Sequence, residues 1–150
     1  MDSTMDTSKH IWRVSQLLTD AAVILMKRGA AHDASKLEEP EKSGYDHVGD
    51  SLRGLTYGSP EYIEQLKELK DVIAHHYAHN THHPEHYADG MYGFDLWDLV
   101  EMFLDWKAAS ERHDDGNIYR SIEVNRVRHN IPPMLINIFT NTAQRMGWDK

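Results

Sequence analysis

Histidine and aspartate are concentrated in a few short segments of this 150-residue chain. Six of the eleven histidines fall between residues 75 and 86: His75, His76, His79, His82, His83 and His86. An adjacent His32-Asp33 pair lies upstream, and an acidic series downstream ends at Asp105. Imidazole and carboxylate groups together are common ligands of divalent transition metals, and the chain has no cysteine thiolate to replace them. The sequence therefore indicates a metal site.

The segment from residue 75 to residue 86 is the strongest of these signals. His75 and His79 are four residues apart in a predicted helix, as are His76 and Asn80, so each pair shares a face and can approach one ligand. The remaining histidines follow in a turn that contains Pro84. The alternative is a polar helix end, or a patch that binds metal adventitiously. Burial of so many imidazoles without partners would be costly, which favours the metal site.

Each candidate upstream also has an ordinary structural explanation. His10 projects from the apolar face of the first predicted helix, where a histidine hydrogen-bonded to a backbone carbonyl is common. His32 and Asp33 diverge by about 100° on a helix, so the pair alone is a weak signal and suits a solvated helix start. Lys36 lies one turn after His32, where its ammonium group can hold a phosphate.

Downstream, Asp98, Glu101 and Asp105 lie on one side of a predicted helix. Like charges at this spacing destabilise a helix by about a few tenths of a kcal/mol per pair, and a cation would relieve that repulsion. The alternative is an acidic stripe that faces water. We expect Asp105, between Leu104 and Trp106, to be the member that points inward.

Apolar residues recur at helical spacing along most of the chain, and we find no alternation long enough for a sheet. We therefore predict an all-α fold, a single-domain bundle of about five to seven helices over residues 1–150, with residues 1–7 as a flexible N-terminus. The predicted helices cover about residues 8–27, 31–37, 61–80, 95–112, 118–129 and 133–146. The glycine-rich stretch between residues 44 and 60 is predicted to be irregular, with at most one short helix.

The composition of the chain indicates which classes of binding partner to expect. A formal net charge of −8 argues against an extended nucleic-acid surface. No apolar run approaches the roughly 20 residues that span a bilayer, so no membrane partner is expected. The absence of cysteine favours a cytoplasmic location. A small phosphorylated substrate remains compatible because bound divalent ions reverse the local sign of a pocket. A homo-oligomer through the apolar C-terminal helix is left open.

The order of these residues resembles the HD superfamily of metal-dependent phosphohydrolases. In this resemblance His10 matches the first-helix histidine, His32-Asp33 the doublet, and Asp105, in Glu-Met-Phe-Leu-Asp-Trp, the final aspartate. Residues 82–90 are similar to the second-metal motif of the cyclic-dinucleotide phosphodiesterase branch, although Pro84 interrupts it. More closely, the motifs HDxSK, NxHHPEHY and EMxxDW resemble an uncharacterised phage and bacterial family over roughly residues 8–112. That closer resemblance supplies no activity.

The HD resemblance implies a phosphohydrolase that acts on a nucleotide or another small phosphate ester by attack of a metal-activated water. The main ion is then held by His10, His32, Asp33 and Asp105. For a second ion the candidates are one of His75, His76 and His79 with His82 or His83, of which we favour His76 and His83. Lys36 is expected to bind phosphate, and Glu85 or His86 to transfer a proton. The candidate metals are manganese, iron, cobalt, nickel and zinc, as one or two ions.

Two other classes of function fit the same residues. An HD-like di-iron oxygenase would use the histidines to bind iron and activate dioxygen. A non-enzymatic acidic interaction protein, encoded by a phage and acting in the host cytoplasm, would use them for a structural metal. Replacement of Asp33 separates the classes, because an enzyme loses turnover while its helices persist, whereas an interaction protein keeps its function or only loses stability.

Overall fold

The computed structural model describes residues 3–52, 55, 59–112 and 115–148, and its regular structure is entirely helical in that part of the chain. The predicted all-α class is confirmed. The α-helices are α1 Thr4–Ala31, α2 Glu41–Leu52, α3 Pro60–Glu68, α4 Lys70–His79, α5 Leu96–Ser110, α6 Ile118–Arg128 and α7 Pro133–Arg145. Short 3₁₀ helices cover Ala34–Leu37, Pro84–His86 and Gly90–Gly93.

Backbone contacts divide the chain into two compact units, one that ends at His32 and one that begins at Asp33. The single domain over residues 1–150 stays a prediction. The first unit consists of α1, which begins at Thr4, before the predicted start at Ser8. The flexibility of residues 1–7 is untested and also stays a prediction.

Helix α1 has the apolar periodicity expected of a buried face, yet none of its residues is buried. Ile11 and Trp12 are about two-thirds exposed, and Leu18 is similar. A lone helix has no second surface in its own unit to pack against, so periodicity alone does not produce burial. Among the described helices, none is both long and apolar enough to cross a bilayer.

The core of the second unit lies between α5, α6 and α7. It is formed by buried apolar side chains from these helices and the loop before α7: Met102, Phe103, Ile118, Ile122, Ile131, Phe139 and Ala143. The Phe103 and Phe139 rings stack with centroids 4.7 Å apart, and Trp106 and Trp148 contact the same cluster. This packing fixes α5, the helix that carries the acidic series.

Side-chain caps begin both α5 and α6. Asp95 Oδ1 accepts hydrogen bonds from the backbone N–H groups of Trp97 and Asp98, and Asp98 Oδ2 accepts one from the Asp95 N–H. This reciprocal capping box satisfies three donors that a helix start leaves without partners. Asn117 caps α6 through the N–H groups of Tyr119 and Arg120.

Helix α2 packs against α4 within the second unit, and Gly44 makes the close approach possible. A Cβ atom at Gly44 would overlap both methyl groups of Val72. The 12-residue helix α2 extends into the stretch predicted to be irregular, and Gly44 is a packing residue in this helix rather than a turn residue. The single predicted helix over residues 61–80 is divided at Leu69, whose side chain is 1% exposed.

We predict that Gly44→Ala destabilises the protein by about 1–3 kcal/mol, because the added methyl group separates α2 from α4. Gly29→Ala is the matched control, since a Cβ there meets nothing within 4 Å. That control should stabilise by about 0.5–1 kcal/mol through helix propensity. Urea unfolding followed by circular dichroism measures both variants. A stabilised Gly44→Ala protein would contradict the packing role, and Val72→Ala in the Gly44→Ala background should recover part of the loss.

Candidate metal centre

The turn that carries His82 and His83 is fixed to α5 at both of its ends. Thr81 Oγ1 donates a 2.6 Å hydrogen bond to Asp98 Oδ1, and the Tyr87 hydroxyl donates one of 2.9 Å to Asp98 Oδ2. The Asp98 side chain is 2% exposed, so both bonds are shielded from water. One buried carboxylate thus holds the two ends of the turn.

Asp33 enters the site from a left-handed backbone conformation, with φ 55° and ψ 18°. Aspartate adopts this conformation more readily than most residues because its short side chain bonds locally. It precedes the 3₁₀ helix Ala34–Leu37, and Lys36 Nζ forms an ion pair with Asp33 Oδ2. The other oxygen, Oδ1, faces the histidines.

Four side chains of the second unit converge on one point. Asp33, His76, His82 and His83 each offer a ligand atom, and these atoms lie within 4.8 Å of one another. His76 Nε2 is 3.0 Å from His83 Nε2 and 3.3 Å from Asp33 Oδ1. His82 Nε2 is 3.6 Å from the same oxygen. Three imidazoles and one carboxylate are a donor set that fits a divalent transition metal.

Two glutamates stand behind these histidines. Glu41 Oε2 lies 2.8 Å from His76 Nδ1, and Glu101 Oε1 lies 3.1 Å from His82 Nδ1. An ionised carboxylate only accepts hydrogen bonds, so each contact favours a proton on Nδ1 and a lone pair on Nε2. Metal-binding histidines are oriented in this way by outer carboxylates. The glutamates therefore favour the tautomers that a metal site requires.

The charges in the site are set by burial and by these contacts. Burial alone would raise the pKa of Glu41, which is 0% exposed, but hydrogen bonds from His75, Ser35 and His76 bring it below its ordinary value. Burial lowers the pKa of His83 to about 3, with a further decrease from nearby His82 and His76. Glu41 is therefore anionic and His83 neutral at neutral pH, the forms suited to orienting and binding a cation.

The acidic series on α5 has three separate roles. Asp98 anchors the turn, and Glu101 contacts His82. Asp105 lies close enough to His83 to oppose the fall in its pKa, and ligand atoms of Asp105 and His82 lie within 4.8 Å of each other. The expectation that Asp105 points inward most is wrong, because Asp98 is the buried member and Asp105 is only half-buried.

The remaining metal ligands expected from the sequence lie in the first unit. His10 is exposed on α1, and His32 is half-buried at its carboxyl end. The hypothesis that they share an ion with Asp33 and Asp105 stays a prediction. His76 and His83, which we favoured for a second ion, lie beside Asp33 itself.

The three residues expected to bind phosphate or transfer a proton each have a hydrogen-bond or ion-pair partner. Lys36 pairs with Asp33, and Glu85 accepts a 2.6 Å hydrogen bond from Arg128 Nη2. His86 Nδ1 donates to the carbonyl oxygen of Tyr77 at 2.8 Å. Their catalytic roles stay predictions.

Sequence reasoning missed the outer glutamates. From the sequence, Glu101 is one member of an acidic stripe. Its position three residues after Asp98 nevertheless indicates that the two residues share one side of the helix, which is the inner side. Glu41 gave no signal, because its partners are 34 and 35 residues away. The spacing pairs Asn80 with His76, whereas Ser35, which accepts a hydrogen bond from Asn80, is recognised only as part of the HDxSK motif.

Comparison with known proteins places the chain in a family but assigns no activity. A family model described as a family of unknown function, DUF5662, matches residues 1–145, so the chain belongs to that family. No curated protein and no solved structure matches the chain. Its function must therefore be argued from the site.

The lowered pKa of His83 predicts how stability depends on pH in metal-free protein. The unfolded chain binds a proton at His83 below about pH 6.5, whereas the folded chain does so only near pH 3. Unfolding therefore takes up a proton between these values, and stability falls as pH decreases through this window. His83→Gln should reduce the loss of stability between pH 7.5 and pH 5, measured by urea unfolding with a chelator present.

The exposed residue His47 supplies the control, because His47→Gln should leave the pH dependence close to that of the wild type. If His83→Gln also retains the full pH dependence, His83 is not held neutral by its surroundings.

Proposed function

We propose that this protein is a metal-dependent phosphohydrolase that acts on a nucleotide or another small phosphate ester. The observation that carries the proposal is the convergence of Asp33, His76, His82 and His83 within 4.8 Å. A divalent cation bound by these groups would outweigh the negative charge of Asp33 at the point where phosphate binds, and Lys36 adds a positive charge beside it. This local charge favours phosphate despite the anionic Glu41 and the acidic character of the whole chain. The resemblance of its motifs to the HD superfamily supports the same class.

A divalent ion in this site supplies two effects, a lower pKa for a coordinated water and neutralisation of charge on phosphate oxygens. The outer glutamates keep His76 and His82 oriented, which lowers the reorganisation needed on binding. Lys36 is suited to phosphate because its side chain is 40% exposed while its ammonium group lies at Asp33. If Asp33 were neutralised by a bound cation, the Lys36 ammonium group would be available to contact a phosphate oxygen instead.

His86 is better suited than Glu85 to transfer the proton. Its Nδ1–H is committed to the Tyr77 carbonyl oxygen, so Nε2 keeps a lone pair that can accept a proton. Glu85 would first have to leave Arg128, whose Nη2 donates a 2.6 Å hydrogen bond to it. We therefore assign the proton-transfer role to His86 within this proposal.

The test is phosphate release by protein loaded separately with manganese, iron, cobalt, nickel or zinc, across a panel of nucleotides and sugar phosphates. Asp33→Asn should lower turnover by about 100-fold or more and reduce bound metal, since loss of an outer ligand partner alone costs 10–100-fold. Asparagine also tolerates the left-handed backbone at this position. Helix content by circular dichroism should be unchanged.

Asp115→Asn serves as the control, because this carboxylate is 83% exposed and pairs with the exposed side chain of Arg120. It should keep full activity. Failure of every metal to support phosphate release would overturn the phosphohydrolase. Metal binding without turnover would then favour a structural ion, and oxygen uptake by the iron form would favour an oxygenase.

A further inference from the structure

An open cleft lies where the turn after α4 meets the connection between α6 and α7. Its volume is about 520 Å³, a size typical of small-molecule sites. Its walls are formed by residues 84–92, the end of α6 and the start of α7. The apolar and aromatic part of the lining consists of Pro84, Tyr87, Met91, Tyr92, Pro132 and Leu135. This part of the cleft suits the flat face of an organic ring.

The charged groups of the lining suit an uncharged polar edge better than a second anion. Arg128 Nη2 donates a 2.6 Å hydrogen bond to Glu85 Oε1, so the two charges of this pair offset each other. Burial lowers the pKa of His129, Glu85 opposes part of that decrease, and Arg128 adds to it. A neutral imidazole offers one hydrogen-bond donor and one acceptor. Asp89 adds a negative charge to the lining, which disfavours phosphate in the cleft itself.

The cleft borders the metal cluster on the side that solvent reaches. Two histidines of the cluster are buried, whereas Asp33 and His83 are half-buried, so a ligand approaches the cluster from their side. Pro84 directly follows His83 and lines the cleft. The Tyr77 and His83 rings have centroids 4.9 Å apart, and the Tyr77 hydroxyl accepts a 3.1 Å hydrogen bond from Arg128 Nη2. One tyrosine ring thus separates His83 from a side chain of the cleft.

We propose that the cleft binds the base of a nucleotide whose phosphate group lies at the metal centre. The inference rests on the proposed phosphohydrolase function and narrows its substrate class to nucleotides. A nucleobase has a flat π face, and its edge carries hydrogen-bond donors and acceptors. The face matches the apolar and aromatic lining, and the edge matches the polar lining. A sugar phosphate has no group that matches the apolar part.

Tyr92 supplies a surface on which the base can stack. It lies in the 3₁₀ helix Gly90–Gly93, lines the cleft and is 91% exposed. A ring so exposed contributes little to the folded core, so its removal should leave the fold intact. Removal of an aromatic side chain on which a base stacks typically weakens binding by about fivefold or more.

The test is binding of unphosphorylated nucleosides to chelator-treated protein, with saturation-transfer difference NMR as the readout. The probes are adenosine, guanosine, cytidine and uridine. We expect saturation transfer to the base protons of at least one of them, and about fivefold or greater weakening of its binding with Tyr92→Ala. Leu96→Ala is the matched control, because it removes a 61% exposed apolar side chain that does not line the cleft. It should leave nucleoside affinity unchanged.

Absence of nucleoside binding would overturn the proposal even if the metal-loaded protein releases phosphate from some ester. Equal nucleoside affinity of the wild type and Tyr92→Ala would also overturn it, as would equal losses with Tyr92→Ala and Leu96→Ala. Failure of the phosphohydrolase gives a different result: nucleoside binding that depends on Tyr92, with no phosphate release from any nucleotide. That result would support the cleft as a base-binding site and reject the hydrolysis alone.

Discussion

A buried carboxylate between two imidazoles is the interaction on which the site depends. Glu41 is 0% exposed, and its two oxygens lie 2.8 Å from Nδ1 of His75 and of His76. A carboxylate removed from water without partners would cost several kcal/mol, so α2 can pack here only when α4 presents these donors. The same contacts that allow Glu41 to be buried also orient the two histidines. Stability and site geometry therefore have one origin.

Other elements of the second unit bring the remaining groups to the same place. Gly44 lets α2 approach α4, which puts Glu41 within reach of His76. Asp98 holds the turn after α4 against α5, so that His82 and His83 face Asp33. Each contact joins parts of the chain that are distant in sequence. The cluster is thus a product of helix packing rather than of any one motif.

The helical class was predictable because apolar periodicity is local, and α5, α6 and α7 lie close to their predicted bounds. Helix α2 was missed because its glycines suggested turns, whereas Gly44 lies inside the helix and serves close packing. Leu69 fits the apolar periodicity of one continuous helix, so the sequence did not indicate a break there. The burial of Leu69 depends on tertiary contacts, which helix periodicity does not describe.

The candidate site was predictable in residue type but less so in arrangement. The spacing of His75, His76 and His79 identified the helix that contributes to the site, yet it could not separate the inward His76 from the outward pair. What distinguishes His76 is that its ligand atom lies within 4.8 Å of those of Asp33, His82 and His83, an arrangement that sequence spacing does not indicate. Burial of Asp98 rather than Asp105 likewise follows from the turn that it anchors.

The proton position on His76 tests the central claim most directly. Long-range ¹H–¹⁵N correlation spectra of chelator-treated protein distinguish an imidazole protonated on Nδ1 from one protonated on Nε2. The account predicts Nδ1–H with an unprotonated Nε2 for His76, because the buried carboxylate of Glu41 accepts that hydrogen. A His76 protonated on Nε2 would contradict it, since the nitrogen that faces Asp33 and His83 would then lack the lone pair that metal binding uses.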